Sequence, residues 1–257
     1  MIELVLLEIK DQIAVLTLNR PEVRNALSTA LLMALQTHLA TLETNPEVRA
    51  VVLTGANNTF SSGADLENLK NLLSASAEMQ KQDSSLIAQT LKRIYQFPKP
   101  IIAALEGAAV AGGAGLATAC DLIVAADNCK IGYTEVKLGF VAAIVSVFLI
   151  RAIGEKHARE LLLTGKLTSA LEAQRMGLVN EVVPTGTALT RALEIAQQIA
   201  QNSQTALRTT KELLGSLYSL GLEDGLQHAA MVNAWIRGTD DLREGVTAFL
   251  EKRSPKW

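Results

Sequence analysis

The chain has 257 residues, with 24 lysines and arginines against 26 aspartates and glutamates, which gives a formal net charge of −2. This length suits one large domain or two modest ones, and the near-neutral balance argues against a general binder of nucleic acids or membrane surfaces, which needs a clustered positive face. Two cysteines and three histidines offer neither a disulfide framework nor zinc-ligand spacing, so no metal site is predicted.

The first part of the chain alternates between predicted strands and helices. Short apolar runs at residues 5–9 and 13–18 predict a β-hairpin, and leucines spaced by four residues predict a helix over 27–42. A buried strand is predicted over residues 50–54, and the polar loop NNTFSSGAD follows it. Residues 66–97 are predicted to be mostly helical, with a weaker polar stretch at 74–84.

The second part of the chain changes from mixed structure to helices alone. Strands are predicted at residues 101–105, 122–126 and 178–183, and helices at 138–153, 155–163 and 169–176. The remaining predicted elements are helices at 188–202, 204–218, 222–236 and 240–251. This order predicts an α/β fold with an all-helical C-terminal region. Residues 101–150 contain 12 alanines and 6 glycines, which predicts backbone packed closely against backbone.

Two apolar segments resemble targeting or membrane signals only superficially. The first of them, MIELVLLEIKDQ, lacks a basic region and a small-residue cleavage site, so it predicts a strand. The uncharged run at residues 138–150 is shorter than the about 20 residues that cross a bilayer, so it predicts a buried helix. We therefore expect a cytoplasmic location, or an organelle matrix after processing, and neither a membrane nor a nucleic-acid partner.

The common catalytic and nucleotide-binding motifs do not fit. No GxSxG turn is present, and His38, His157 and His228 lie in predicted helices without an activated nucleophile beside them. Gly113 and Gly115 follow a strand and open a helix, but the third glycine of a dinucleotide fingerprint would fall at Thr118. No Walker A sequence occurs either.

Two junctions between a loop and a helix are more informative, at residues 61–65 (SSGAD) and 110–113 (VAGG). Each follows a predicted strand, and the first N–H groups of a helix have no acceptor within it. Two such groups directed at one point would stabilise an enolate or another oxyanion, and glycine and alanine allow a substrate carbonyl to approach the backbone. Ordinary loop packing explains the same spacing, so both interpretations stay open from spacing alone.

Several segments in the same order carry a more specific signal. They are NRPEVRNAL at residues 19–27, FSSGADL at 60–66, KPIIAA at 99–104 leading to AGG at 111–113, CD at 120–121, LTG at 163–165 and DDLREGVTAFLEKR at 240–253. Each is weak alone. Together they resemble the enoyl-CoA hydratase/isomerase family, the crotonase superfamily, over almost the whole chain.

The resemblance implies a fold, an assembly and a substrate class. The fold would be a crotonase-type spiral of repeated ββα units over residues 1–195, followed by a C-terminal helical trimerisation region over residues 196–257. The partners would be further copies of the chain, as a homotrimer or a dimer of trimers. The substrate would be an acyl-CoA thioester, and no cofactor is implied beyond the coenzyme A that the thioester contains.

The resemblance also implies the site residues. The N–H groups of Ala64 and Gly112 would form the oxyanion hole, and Glu135 would carry the acid/base chemistry. Residues implied in contacts with the substrate or with coenzyme A, the last two reaching a neighbouring subunit's ligand, are Arg24, Asn25, Ala26, Ser62, Asp65, Leu66, Tyr133, Phe249 and Lys252.

The sequence departs from the family pattern at one catalytic position. Hydratases of the family carry two glutamates, one shortly after the GG turn and another twenty residues later. Here Gly115 occupies the first position and Glu135 the second. Hydration of a conjugated double bond uses paired carboxylates to share proton transfers, whereas moving a double bond needs one group with a raised pKa.

Three interpretations of this departure follow. The family pattern favours an enoyl-CoA hydratase or dehydratase, a carbon–oxygen lyase in which a water molecule or Tyr133 substitutes for the missing carboxylate. Residues 138–151 resemble members of the family that act on branched, methylglutaconyl-type thioesters. The close second is a Δ3,Δ2-enoyl-CoA isomerase, which works with Glu135 alone. The third is a catalytically reduced scaffold that binds acyl-CoA.

Overall fold

The computed structural model describes residues 3–257, which form two β-sheets and ten α-helices. The strands are β1 (Val5–Lys10), β2 (Ile13–Leu18), β3 (Ala50–Gly55), β4 (Ile101–Leu105), β5 (Ala108–Val110), β6 (Leu122–Ala126), β7 (Lys130–Gly132), β8 (Leu167–Ser169) and β9 (Glu181–Val183). The helices are α1 (Thr29–Thr44), α2 (Leu66–Leu73), α3 (Ala77–Tyr95), α4 (Gly112–Thr118), α5 (Ala143–Thr164), α6 (Ala170–Arg175), α7 (Ala188–Ala200), α8 (Gln204–Leu217), α9 (Leu222–Ile236) and α10 (Asp240–Leu250). Short 3-10 helices lie at Pro21–Val23 and Glu135–Leu138.

The larger sheet has six strands in the order β1-β2-β3-β4-β6-β9. The β1–β2 hairpin is antiparallel and every other pair in this sheet is parallel. The smaller sheet has the order β5-β7-β8. Because β5 follows β4 and β7 follows β6 along the chain, these two successive turns of the fold each add one strand to each sheet. This arrangement confirms the predicted α/β class.

The central strands are buried on both faces, as parallel sheets between helices require. Along β3, Val51 and Leu53 join the core that includes α1, whereas Ala50 and Val52 join the opposite core. That second core is closed by α7, whose buried alanines, Ala188, Ala192, Ala196 and Ala200, follow a four-residue spacing. Small side chains let α7 approach the sheet closely. The domain boundary predicted at residue 195 falls inside α7. This helix packs on the sheet along its whole length.

The structure differs from the sequence prediction mainly in short elements. β5, β7 and β8 have three residues each, too few for alternation to be recognised, and they are defined by their pairing with one another. The helix predicted from residue 138 begins only at Ala143, because the preceding segment forms a 3-10 helix and a turn in which Phe140 N–H donates to the Glu135 carbonyl at 3.0 Å. The next predicted helix, at 155–163, continues α5 beyond a kink at Gly154.

The C-terminal helices α8, α9 and α10 leave large apolar side chains in solvent. The most exposed are Leu222 and Phe249, at 81% and 83%, and Met231 and Trp235 are also exposed. Apolar side chains that form a contiguous exposed patch are commonly covered by another protein surface. Among the described residues, no helix has the length and apolar character needed to cross a membrane.

Candidate active site

A cavity of about 790 Å³ lies between the start of α4, the 3-10 helix Glu135–Leu138 and the start of α5. Residues of the loops at 20–27 and 62–65 and of α2 and α3 complete its wall. The lining is mostly apolar with a few polar groups, which is the usual composition of a small-molecule site. We therefore describe this cavity as the candidate active site.

The two glycine- and alanine-rich junctions meet at the wall of this cavity. A Cβ atom placed on Gly112 would lie 3.8 Å from the Ala64 nitrogen, and one placed on Gly63 would lie 3.2 Å from the Gly112 nitrogen. Gly112 is the first residue of α4, so its N–H has no acceptor within the helix. Within residues 3–257, the hydrogen bonds leave the N–H groups of Ala64 and Gly112 unpaired. Two available donors therefore lie close together beside the cavity.

The loop that carries Ala64 is fixed by the segment that precedes α1. Leu27 N–H donates to the Gly63 carbonyl at 2.7 Å, and the Leu27 carbonyl accepts from Asp65 N–H at 3.2 Å. Arg20 Nη1 donates to the Asp65 carboxylate at 2.8 Å, and this hydrogen bond holds the pKa of Asp65 below its ordinary value. Asp65 also accepts from the first N–H groups of α2. Ala64 is thus held between two hydrogen-bonded neighbours.

Glu135 lines the cavity as the first residue of the 3-10 helix, and it is only 9% exposed. Its Oε2 atom has no hydrogen-bond partner among the described residues. Burial raises the pKa of its carboxyl above the ordinary value for glutamate. A carboxyl group with a free oxygen and a raised pKa can accept a proton and return it.

The place of the missing second glutamate is filled by a side chain of α5. Gly115 is buried in α4, and a Cβ atom placed on it would lie 2.4 Å from Val145 Cγ2 and 3.2 Å from Val145 Cγ1. The shorter distance is far below the van der Waals contact distance of two carbon atoms. Val145 itself lines the cavity. A larger residue at position 115 therefore requires Val145 to move.

Most of the residues expected at the site from the sequence lie at this cavity. Those that line it are Arg24, Ala26, Ser62, Ala64, Asp65, Leu66, Gly112 and Glu135. They come from four separate parts of the chain, which the fold brings together. Across residues 3–257, no three His, Cys, Asp or Glu side chains are grouped as metal ligands.

Asn25 and Tyr133 do not line the cavity, so their expected contacts with the substrate stay a prediction. The buried Asn25 amide donates to the carbonyls of Ala56 at 3.0 Å and Thr59 at 2.7 Å, so it fixes the loop. The Tyr133 hydroxyl is hydrogen-bonded to Thr118 Oγ1 at 2.6 Å, and burial raises its pKa. Both side chains support the wall from behind.

Phe249 and Lys252 also lie away from the cavity of their own chain. Phe249 is near the C-terminal end of α10, Lys252 follows that helix, and both are exposed. Neither residue lines the cavity. Their expected contact with the ligand of a neighbouring subunit stays a prediction.

The apolar run that begins at residue 138 supplies most of the apolar wall next to Glu135, as its position directly after Glu135 in the sequence suggests. The side chains concerned are Leu138, Phe140, Val141, Ile144 and Val145. In the sequence they form part of one apolar run, and a helix was predicted through all of them. The chain turns before α5, so the first three of these residues precede the helix and the last two lie in its first turn. The run itself gives no signal of that turn.

The comparisons with known proteins identify relatives over almost the whole chain. A family model described as enoyl-CoA hydratase/isomerase matches residues 8–257. A protein of Thermus thermophilus, provisionally named an enoyl-CoA hydratase, is 52% identical over 248 residues, which are 96% of this chain and 98% of that protein. The 2,3-dehydroadipyl-CoA hydratase of Escherichia coli is 35% identical over 96% of this chain and 95% of its own.

Solved structures show the same fold. An enoyl-CoA hydratase from Polaromonas sp. JS666 superposes with a TM-score of 0.94 at 35% identity, covering 98% of both chains. An enoyl-CoA hydratase from Bacillus anthracis gives a TM-score of 0.92 at 35% identity, covering 99% of this chain and 98% of that one. The predicted crotonase-type fold is thereby confirmed, and the chain belongs to the enoyl-CoA hydratase/isomerase family of enzymes.

Proposed function

We propose that the cavity binds an acyl-CoA thioester with the thioester oxygen between the N–H groups of Ala64 and Gly112. The observation that carries this proposal is the meeting of these two unpaired donors at a cavity that also holds a buried, unpaired carboxylate. Donors fixed in advance stabilise the negative charge that develops on the oxygen when the thioester becomes an enolate. Gly112 adds the favourable field of a helix N-terminus.

The reaction favoured by the relatives' names is hydration or dehydration of an enoyl thioester, with Glu135 as the acid/base group. In hydration, Glu135 accepts a proton from water as the water oxygen bonds to C3, and charge moves to the thioester oxygen. The proton on Glu135 then transfers to C2, which restores the thioester carbonyl and the carboxylate. One carboxylate can perform both transfers in turn, and a raised pKa suits both.

A second candidate is isomerisation of a 3-enoyl thioester to the 2-enoyl thioester. In this reaction Glu135 removes a proton from C2 and returns it to C4, while the double bond moves into conjugation. No water enters the product, so a single carboxylate is sufficient. The observation that favours this candidate is the filling of the second carboxylate's place by Val145.

The segments of the wall at residues 24–26 and 62–66 suit the coenzyme A part of the substrate. We propose that it lies along Arg24, Ala26, Ser62 and Leu66, which line the cavity. An arginine at the mouth of a cavity can pair with phosphate groups. The acyl group would lie against the apolar wall formed by residues 138–145, and branched, methylglutaconyl-type groups belong to the substrates to be tested.

We also propose that copies of the chain associate through α8, α9 and α10 into a trimer or a dimer of trimers. The exposed apolar side chains of these helices support this assembly. Phe249 and Lys252 would then reach the coenzyme A bound by a neighbouring copy. A lysine at that position can pair with a phosphate of the ligand.

The proposed role of Glu135 is tested by Glu135→Ala. We expect turnover to fall by about 10²–10⁴-fold, because general acid–base catalysis contributes on that scale, while binding of the CoA ester persists. The substrates are 2-enoyl-CoA and 3-enoyl-CoA, followed by the absorbance of the conjugated thioester and by the 3-hydroxy product. An isomerase converts 3-enoyl-CoA to the conjugated thioester with little 3-hydroxy product, whereas a hydratase forms that product from 2-enoyl-CoA.

The matched control is Glu67→Ala, which removes an exposed glutamate from α2 at the edge of the same cavity. Full activity in Glu135→Ala would contradict the proposed role. An unmodified protein that binds CoA esters tightly but turns over none of a broad panel, branched thioesters included, would instead support the scaffold interpretation.

A further inference from the structure

The contact between Gly115 and Val145 leaves little room for adjustment on either side. Val145 is 4% exposed, and its β-branched side chain has a stiff χ1 angle. Gly115 is held in α4 by its own N–H, which donates to the Ala111 carbonyl at 3.0 Å. The Cβ position of residue 115 is close to three atoms of Val145, at 2.4, 3.2 and 3.3 Å, rather than to the flexible end of a long side chain. A side chain at position 115 and the valine at position 145 therefore cannot occupy this space together.

Val145 also limits which acidic groups can lie next to Glu135. Its side chain lines the cavity with methyl groups where a carboxylate from position 115 would have to pass. Among the other carboxylates of the wall, Asp65 is paired with Arg20, and Asp83 is in hydrogen-bond contact with Asn68 Nδ2 at 3.3 Å. Glu22 and Glu67 also line the cavity, but both are exposed. Among the described residues, Glu135 is thus the cavity carboxylate that combines burial with an unpaired oxygen.

We propose that Val145 is a specificity-determining residue, which fills the place of a second acid and favours proton transfer between substrate carbons over addition of water. Methyl groups there give an attacking water molecule no acceptor besides Glu135, whereas the transfer of a proton from one carbon to another requires Glu135 alone. This inference rests on the proposed acid/base role of Glu135. It predicts that the balance between hydration and isomerisation depends on residues 115 and 145 jointly.

The test compares Gly115→Glu, Val145→Ala and the double variant of the full chain. Gly115→Glu alone is expected to melt at least about 3 °C below the unmodified protein, because overpacking a core is destabilising, and Val145→Ala in the same chain is expected to restore most of that loss. In the double variant, the ratio of 2-enoyl-CoA hydration to 3-enoyl-CoA isomerisation should rise at least about tenfold, because a second acid can then assist water.

The matched control is Gly115→Glu with Leu149→Ala, which opens space one turn further along α5 at a fully buried position. This variant is expected to show neither the thermal recovery nor the change in ratio. Gly115→Glu melting like the unmodified protein would overturn the steric exclusion. Thermal recovery with an unchanged ratio in the double variant would overturn the role in specificity.

The failure of the proposed function can be recognised separately. Glu135→Ala is introduced into the double variant and into the unmodified chain. If both rates persist in both backgrounds, the acid/base role of Glu135 is wrong. The coupling between positions 115 and 145 in thermal stability is measured without substrate, so its result does not depend on the role of Glu135.

Discussion

Glu135 shows how a single residue can be kept in a position that is unfavourable for folding. Its carboxyl is buried, one of its oxygens has no partner within residues 3–257, and burial raises its pKa. A buried polar atom without a hydrogen bond costs free energy, and a charged one costs more. Such strain is expected where chemistry requires a reactive group rather than a satisfied one.

Glu135→Gln is therefore expected to stabilise the protein at neutral and alkaline pH, by an amount of order 1 kcal/mol. Because the folded-state pKa is raised, the folded protein binds the proton more tightly than the unfolded chain does. The unmodified protein then loses stability as the pH rises from the ordinary value of 4.5 through the raised value. The gap in unfolding free energy between the two proteins should widen as the pH rises above 4.5, as measured by denaturant titration.

Glu67→Gln serves as the control, since it removes an exposed carboxylate from the same cavity wall. It should show no comparable dependence on pH. A Glu135→Gln protein that is less stable than the unmodified one at pH 8 would show that the glutamate makes a favourable interaction instead.

Residues that belong to a sequence motif were predictable, and residues that only pack against them were not. Ala64, Gly112 and Glu135 were found from ordered segments, and the structure places all three at one cavity. Nothing in the sequence distinguishes Val145, because it is one of several apolar residues in an uninterrupted run. Tyr133 stands near Glu135 in the sequence but points its hydroxyl to Thr118, which a linear pattern cannot reveal.

Among the secondary structure elements, those with long regular patterns were predictable. The hairpin, β3, β4, β6 and the helices from α7 onward match their predicted positions to within a few residues. The three-residue strands β5, β7 and β8 were missed because their pairing partners are distant in sequence. The start of α5 was also missed, since the apolar residues before it line a cavity rather than a helix face.

The kink inside α5 gives a test at the level of the element. Gly154 has φ 71° and ψ 169°, a conformation that L-residues avoid, although a Cβ atom there would meet no other atom within 4 Å. Gly154→Ala is therefore expected to cost of order 1–3 kcal/mol through backbone strain alone. Thermal unfolding of the variant measures this loss.

Gly221→Ala is the matched control, because a Cβ atom there is equally free of contacts and the φ angle of −68° is ordinary. Its effect should stay within about 0.5 kcal/mol. Equal melting temperatures for the two variants would mean that α5 relaxes the kink. The cavity would then change shape too, because Val145 and Ile144 lie on the first half of this helix.

At the scale of the molecule, the two faces of the six-stranded sheet are closed within the chain, whereas the C-terminal helices are not. α7 covers one face with small side chains, and the core around α1 covers the other. α8, α9 and α10 instead direct apolar side chains to solvent. The family resemblance predicted an assembly through this region, but no single periodicity could show which side chains remain uncovered.

The proposed assembly makes a prediction that joins this surface to the active site. Met231→Glu puts a charge on α9 at a position that is 60% exposed in the isolated chain and would be buried between copies. Analytical ultracentrifugation should show three or six copies for the unmodified protein and a clear shift towards single chains for the variant, because burying an unpaired charge is costly. The Michaelis constant for the CoA ester should rise as well, because Lys252 would no longer reach the neighbouring ligand.

Met33→Glu is the matched control, since Met33 is 58% exposed but lies on α1. A monomeric unmodified protein, or equal dissociation in both variants, would contradict assembly through the C-terminal helices.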